Sequence, residues 1–209
     1  MSYHLILQDQ YDLTPLVETM TLKDSLDQIA YQASVRVAVN GNMPAIAPGM
    51  AIRISGVPFN KDSTIPLLHP AVVWEVESSN SGTKRLSLVI NDRTIYLDKS
   101  EDEYLFPKDQ TATQRLQKYA KDWGIPLLPL PDTRTKLGKA VYRAQTIFSM
   151  ILADLKETAK NGGDMYHPRM TSGGLQLFKL GSNDSPYVLD GMIDLTQLRT
   201  LEAQSPKLK

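Results

Sequence analysis

Few residues in this chain stand where they could act on a substrate: His4, His69 and His167, the acidic run Glu101-Asp102-Glu103, and, through their backbone, the glycine pairs Gly162-Gly163 and Gly173-Gly174. A histidine becomes a metal ligand or general base when a second group stands at a defined spacing, as on an H-E-x-x-H helix, and none of the three has one. His167 is marked out only by Asp164, Tyr166, Pro168 and Arg169 around it, and reads as a hairpin residue. Two carboxylates hydrolyse a glycoside when they face each other across the sugar and apolar surroundings raise the pKa of one. Three consecutive acids repel one another and stay solvated, so Glu101, Asp102 and Glu103 read as an exposed linker. A phosphate cradle follows a strand and opens a helix. Gly162-Gly163 instead ends a helical stretch, and Gly173-Gly174 lies in a hairpin turn. There is no G-x-S-x-G elbow and no cysteine nucleophile. The expectation is a protein that is not an enzyme, with no catalytic, cofactor-binding or metal-ligating residues and no cofactor.

The elements around these residues divide the chain. Up to Ser100 the pattern has the period of β structure. Tyr3–Gln8 is a short strand, Tyr31–Val39 places Ala33, Val35, Val37 and Val39 on one face, and Met50–Ser55 repeats the alternation. Pro70 precedes a long run, Ala71–Ser78, whose partner is Lys84–Asn91 across a Ser-Asn-Ser-Gly loop. Ile95–Leu97 is read as a last short strand and Asp24–Ile29 as a helical turn. Closely spaced strands with turn signals predict a barrel or a sandwich.

Pro107 marks the switch to helical periodicity. Asp109 or Thr111 caps a first helix near 111–123, with Leu116, Tyr119, Ala120 and Trp123 as its buried stripe. Gly124 and Pro126 end it, and IPLLPLP is too rich in proline to be anything but extended. Thr146 caps a second helix, near 146–161, with Ile147, Met150, Ile151, Leu155 and Ala159 inside and Phe148 and Leu152 widening the apolar face. Met165–Met170 and Leu175–Leu180 form a hairpin, with Pro168 confining its strand to an edge or bulge. Beyond Gly181, Val188–Leu195 is a candidate strand and AQSPKLK a tail.

Charge is balanced overall but not along the chain. Residues 1–105 hold 8 Lys and Arg against 13 Asp and Glu, and residues 106–209 hold 15 against 10. Lys108, Arg115, Lys118 and Lys121 come nearest to a basic patch and read as a solvated helix face, not a nucleic-acid surface. No apolar run approaches the ~20 residues of a membrane span. The opening MSYHLILQDQYD lacks the basic region of a signal peptide, so synthesis and retention in the cytoplasm are expected. With no cysteine, disulfides and Cys-based zinc sites are excluded.

The order of these elements carries a resemblance. From Thr94 the chain reads TIYLDKSEDEYLFPKDQTATQRLQKYAKDWGIPL, and from Ala144 to Phe178 it reads AQTIFSMILADLKETAKNGGDMYHPRMTSGGLQLF. With YDLTPLVETMTLKDSLDQIAYQASVRV upstream, this series resembles the XkdQ/YqbQ family, baseplate hub proteins of contractile phage tails and phage-derived particles. The resemblance implies an α+β protein: a tail-tube-like antiparallel β-barrel domain, residues 1–100, followed by a small α/β domain with two helices and a hairpin, residues 101–185. Residues 186–209 would be a tail or the start of a truncated second β domain, since the family normally continues into a second tube-like barrel. It also implies self-association into a ring, a trimer in the family, between a tail tube protein and a central spike protein. Such a ring sits in the virion tail or baseplate, assembles in the bacterial host cytoplasm, lets DNA pass without specific binding, and needs no membrane. The alternatives are a tail-associated cell-wall hydrolase, which requires convergent carboxylates or a metal site, and a carbohydrate- or peptide-binding module. The latter requires an exposed aromatic platform, whereas Trp74 and Trp123 both lie in patterns that face a core.

Overall fold

Alternating apolar and polar residues build the first half of the chain into one antiparallel sheet. The computed structural model describes residues 3–25, 28–57 and 63–182. The sheet strands are β1 (Tyr3–Leu7), β2 (Tyr11–Asp12), β3 (Val17–Lys23), β4 (Gln32–Ala38), β5 (Ala51–Gly56), β6 (Ile65–Asn80) and β7 (Lys84–Asp92). Their spatial order is β2-β1-β5-β6-β7-β4-β3, and the sheet curls as a half-barrel with β2 and β3 as its end strands. Ala33, Val35 and Val37 of β4 are buried while Ser34 and Arg36 face outward, as period-two alternation demands. They pack with Leu7, Ile54 and Ile90 in the core on the concave side. Each fully buried Val, Leu or Ile there contributes roughly 1.5–3 kcal/mol of transfer free energy.

The strand expected at Ala71–Ser78 is longer in the structure, because β6 begins at Ile65 and runs through Pro70. Proline donates no ladder hydrogen bond, and the β5–β6 register shifts in the segment that carries Pro66 and Pro70. Further on, Ala71 and Val73 point into the main core, while Val72 lies on the opposite face with Ala30 and Ile95, and Trp74 packs against them. A shift between Val73 and Glu75 then changes phase, so that Val76 and not Glu75 returns to the core side. Trp74 is therefore half-buried on the back of the sheet, edge-on to Tyr96 at 5.9 Å.

The second half contains α1 (Ile95–Lys99), β8 (Glu101–Phe106), α2 (Ala112–Asp122), β9 (Ala140–Thr146), α3 (Ile147–Lys160), β10 (Tyr166–Thr171) and β11 (Gly174–Lys179). Two expectations are corrected here. Ile95–Leu97 is a short helix, not a strand. The buried carboxylate of Asp92 closes the preceding turn, accepting from the Thr94 amide at 2.8 Å and from the Thr94 hydroxyl, and holds the Tyr31 amide at 2.9 Å. The acidic run Glu101-Asp102-Glu103 is not a linker but the start of β8, which pairs with β9 as a two-stranded ribbon. Its inner residues Tyr104 and Phe106 are buried and stacked at 5.5 Å, which offsets the polar start of the strand.

Thr111 caps α2 in a capping box with Gln114, and Thr146 caps α3 by accepting from the Ser149 amide. Leu116, Tyr119 and Ala120 form the buried stripe of α2, but Trp123 does not join them. It is the C-cap residue, off helical geometry, is 37% exposed, and donates from Nε1 to Asp102 at 3.2 Å. In α3, Ile147, Phe148, Met150, Ile151 and Leu155 are all buried, so this helix is covered on more than one side, and Gly162 ends it at φ +84°. The hairpin forms as expected, with Thr171 paired to Gly174. The strand expected at Val188–Leu195 and the following tail lie outside the described residues, as do Leu26 and Asp27 of the helical turn expected at Asp24–Ile29.

The largest correction concerns Arg115, expected on a solvated face and found with no exposed surface. Its guanidinium pairs with Asp154 of α3 at 2.6 Å, donates to the carbonyl of Gly138, and lies 5.0 Å from the centre of the Phe106 ring. Asp154 also accepts from Tyr119 at 3.1 Å and Tyr142 at 2.7 Å. Burial pushes the Asp154 carboxyl up, against the pull of Tyr142 and Arg115, and burial likewise pushes both tyrosine hydroxyls up.

Two substitutions test this core. Ile151→Ala is expected to cost about 2–5 kcal/mol in chemical denaturation, and a loss below ~1 kcal/mol would place Ile151 outside it. Asp154→Ala strands a buried guanidinium and is expected to cost about 3–5 kcal/mol. Arg115→Met combined with Asp154→Leu is expected to recover most of that loss; equal losses would mean that packing, not charge pairing, dominates.

Candidate interaction surfaces

The chemically capable residues remain dispersed in the fold. His4 is half-buried on β1, His69 is exposed on β6, and His167 is half-buried on β10. Among the described residues no group of three or more His, Cys, Asp or Glu is placed to hold a metal ion. On β8, Glu101 and Glu103 are exposed while Asp102 is tied to Trp123, so the three acids form no facing pair. The glycine pairs serve packing. A Cβ on Gly163 would lie 2.8 Å from the Thr158 side chain, and one on Gly174 would lie 2.7 Å from the Pro126 carbonyl oxygen. Arg115 is buried and Lys118 is paired with Asp122 at 2.8 Å, which removes both from the patch they would have shared with Lys108 and Lys121. No helix among the described residues is long and apolar enough to cross a membrane.

What the fold does present is a set of open clefts where its two cores meet and along its ribbon. One, of about 300 Å³, is lined by Pro70, Arg93, Tyr96, Trp123, Ile125 and Met170. Tyr96 and Trp123 are both more than a third exposed, so the sequence reading that sent Trp123 into a core missed an exposed aromatic pair. The only sequence signal for it was position: Trp123 is the last residue before Gly124, where a helix side chain is free to leave the stripe. A second cleft, about 560 Å³ and shallower, runs between β8 and α2, from Glu103 and Leu105 to Lys118 and Trp123. Lys118 holds the Asp122 carboxyl below its ordinary value, and the Tyr104 hydroxyl donates to the same carboxylate at 3.1 Å.

A third contact docks the hairpin onto the sheet. Arg169 of β10 pairs with Asp24 at 2.8 Å and lies 5.7 Å from the centre of the Tyr31 ring. Beside it, burial pushes the His167 imidazole below its ordinary value, with Asp24 opposing and Arg169 reinforcing the shift. As pH falls through the ordinary histidine range near ~6.5, the unfolded chain therefore takes up this proton before the folded one does, and stability is lost. His167→Gln is expected to shrink the loss in denaturation midpoint between about pH 7.5 and about pH 5.5. An unchanged difference would show that His167 is not linked to folding.

The tail protein of prophage MuSo2 from Shewanella oneidensis superposes with a TM-score of 0.64 at 13% identity, over 85% of this chain and 55% of that one. A tail protein from Neisseria meningitidis gives 0.63 at 14% identity, over 85% of this chain and 50% of that one. A chain of the Francisella PdpA–VgrG complex gives 0.50 at 8% identity, over 84% of this chain and 28% of that one. At such identities the likeness establishes the fold, and this chain spans about half the length of the two tail proteins. No curated protein matches the sequence. Residues 20–201 match the family described as YqbQ-like, and over that span, most of its length, the chain belongs to the YqbQ-like family.

Proposed function

We propose that this chain is a structural component of a phage tail or phage-derived particle, acting as the baseplate hub that joins the tail tube to the central spike. The observation that carries this reading is the family match over residues 20–201. A half-barrel sheet with an attached α+β unit, the architecture shared with two phage tail proteins, supports it. The reading divides the chain into a tail-tube-like domain, residues 1–100, and a small α+β domain, residues 101–185. The separate clusters around α2 and α3 and inside the curled sheet support the division, with α1 at the joint: Ile95 packs in a third, small cluster on the back of the sheet, while Leu97 joins Ile29 in the cluster of the second half. Copies assemble into a ring, three in number by the family's pattern, in the virion tail, after synthesis in the bacterial cytoplasm. The acidic first half suits a channel wall that repels polyanionic DNA, so that DNA passes without specific binding. The protein acts by assembly and not by turnover.

A second reading, a carbohydrate- or peptide-binding module, is favoured by one observation: Tyr96 and Trp123 are exposed in the same cleft. The experiment that separates the two combines the purified chain with the cognate tube and spike proteins in native mass spectrometry. The hub reading expects a ring-type stoichiometry, and intact peptidoglycan, casein and nucleic acid after incubation with the chain. Hydrolysis abolished by a single side-chain substitution would overturn it. Saturable glycan or peptide binding lost in Trp123→Ala, with no assembly, would replace it by the second reading.

A further inference from the structure

The β8–β9 ribbon is an unfinished sheet. It has two strands only, and neither outer edge carries a neighbouring strand among the described residues. Leu105 and Val141 are cross-strand partners on its outer face and are 64% and 66% exposed. These are the two most exposed large hydrophobic residues described. Together they form an apolar spot at the middle of a surface that offers unpaired backbone groups on both sides.

The charges around that spot differ in sign between the strands. Glu101 and Glu103 are exposed on β8, while Arg143 on β9 and Lys139 just before it are also exposed. None of these four makes an ion pair among the described residues, even though their strands are adjacent. Pairing β8 with another β8 would set acid against acid, and pairing β9 with β9 would set base against base; like charges across a ladder destabilise it. Pairing β8 of one copy with β9 of the next sets acid against base and extends the apolar spot into a stripe. The open cleft between β8 and α2 leaves room on the β8 side for such a strand.

We propose that this ribbon is a head-to-tail docking surface whose occupant is a second copy of the same chain. The β8 edge of one copy receives the β9 edge of its neighbour, forming a sheet continuous across the boundary. A heterologous contact of this kind repeats by a fixed rotation, and closes into a ring when that rotation divides a full turn. The inference rests on the hub reading and deepens it, by assigning the edges that join the copies.

The absence of cysteine from the chain makes the test direct. Single variants Glu103→Cys and Arg143→Cys are mixed and bridged with a short bis-maleimide, while native mass spectrometry follows the full chain alone and with the tube and spike proteins. The expected result is a linked dimer in the mixture and little in either variant alone. In parallel, Glu103→Lys and Arg143→Glu are each expected to weaken association about tenfold, and the double variant to restore it. Linked dimers within one variant alone would overturn the head-to-tail geometry. An assembly with no linkage and no effect of the charge changes would place the interface elsewhere, overturning this proposal while leaving the hub reading intact. A chain that stays monomeric under every condition would overturn both.

Discussion

A guanidinium with no contact to water fixes the arrangement of the second half of this molecule. Arginine stays protonated at any pH a protein meets, so Arg115 has to be surrounded by acceptors wherever it is buried. Those acceptors come from separate places in the sequence: Asp154 on α3, the Gly138 carbonyl just before β9, and, at 3.5 Å, the Pro107 carbonyl after β8. Tyr119 and Tyr142 complete the coordination of the carboxylate from α2 and β9. No one of these elements can shift without leaving a charge or a hydroxyl unsatisfied in a low-dielectric interior. Among the described residues the Nε of Arg115 has no hydrogen-bond partner, and the Phe106 ring beside the guanidinium offsets part of that deficit.

The sheet obeys a different rule. Its core is assembled from apolar side chains by alternation, and at its border the buried Asp92 satisfies neighbouring backbone groups. That carboxylate has no cationic partner among the described residues and is held by hydrogen bonds alone, to Thr94 and Tyr31. Burial pushes its pKa up, against those bonds. The two halves thus meet at a carboxylate that ties the start of α1 to the entry of β4, with the Arg169–Asp24 pair closing the other side.

Much of this was legible in the sequence where one residue type dominates a period. The strands at β4, β5 and β7 showed because valine, isoleucine and leucine alternate there over five or more residues, and α3 showed because its stripe runs for nearly four turns. The errors fall where the pattern is short or the chemistry is double. Three residues, Ile95 to Leu97, contain too little to separate a period of two from one of 3.6. Arg115 is charged, and a helix reading assigns charges to solvent unless the partner, 39 residues away, is known. β8 opens with three acids, so its buried Tyr104 and Phe106 were hidden by their own strand, and β9 mixes small and polar residues too evenly to show an inner face. The interaction surface was unreadable for the same reason, since exposure of Leu105 and Val141 is a property of the pairing and not of either segment.

The proline-punctuated stretch after α2 has a consequence of its own. Its backbone runs parallel to β11, with Leu175 donating to the Pro126 carbonyl at 2.8 Å and Leu128 donating to Leu175 at 3.0 Å. Gly174, at φ +135°, is what allows the two backbones to come this close. The hairpin is therefore flanked by a one-bridge parallel contact to an extended segment synthesised nearly fifty residues earlier. During translation that segment waits for its partner until α3 and the hairpin have emerged. Its prolines keep it from helical or aggregated alternatives in the interval, so the same residues that prevent a helix also act as a holding device for a late partner.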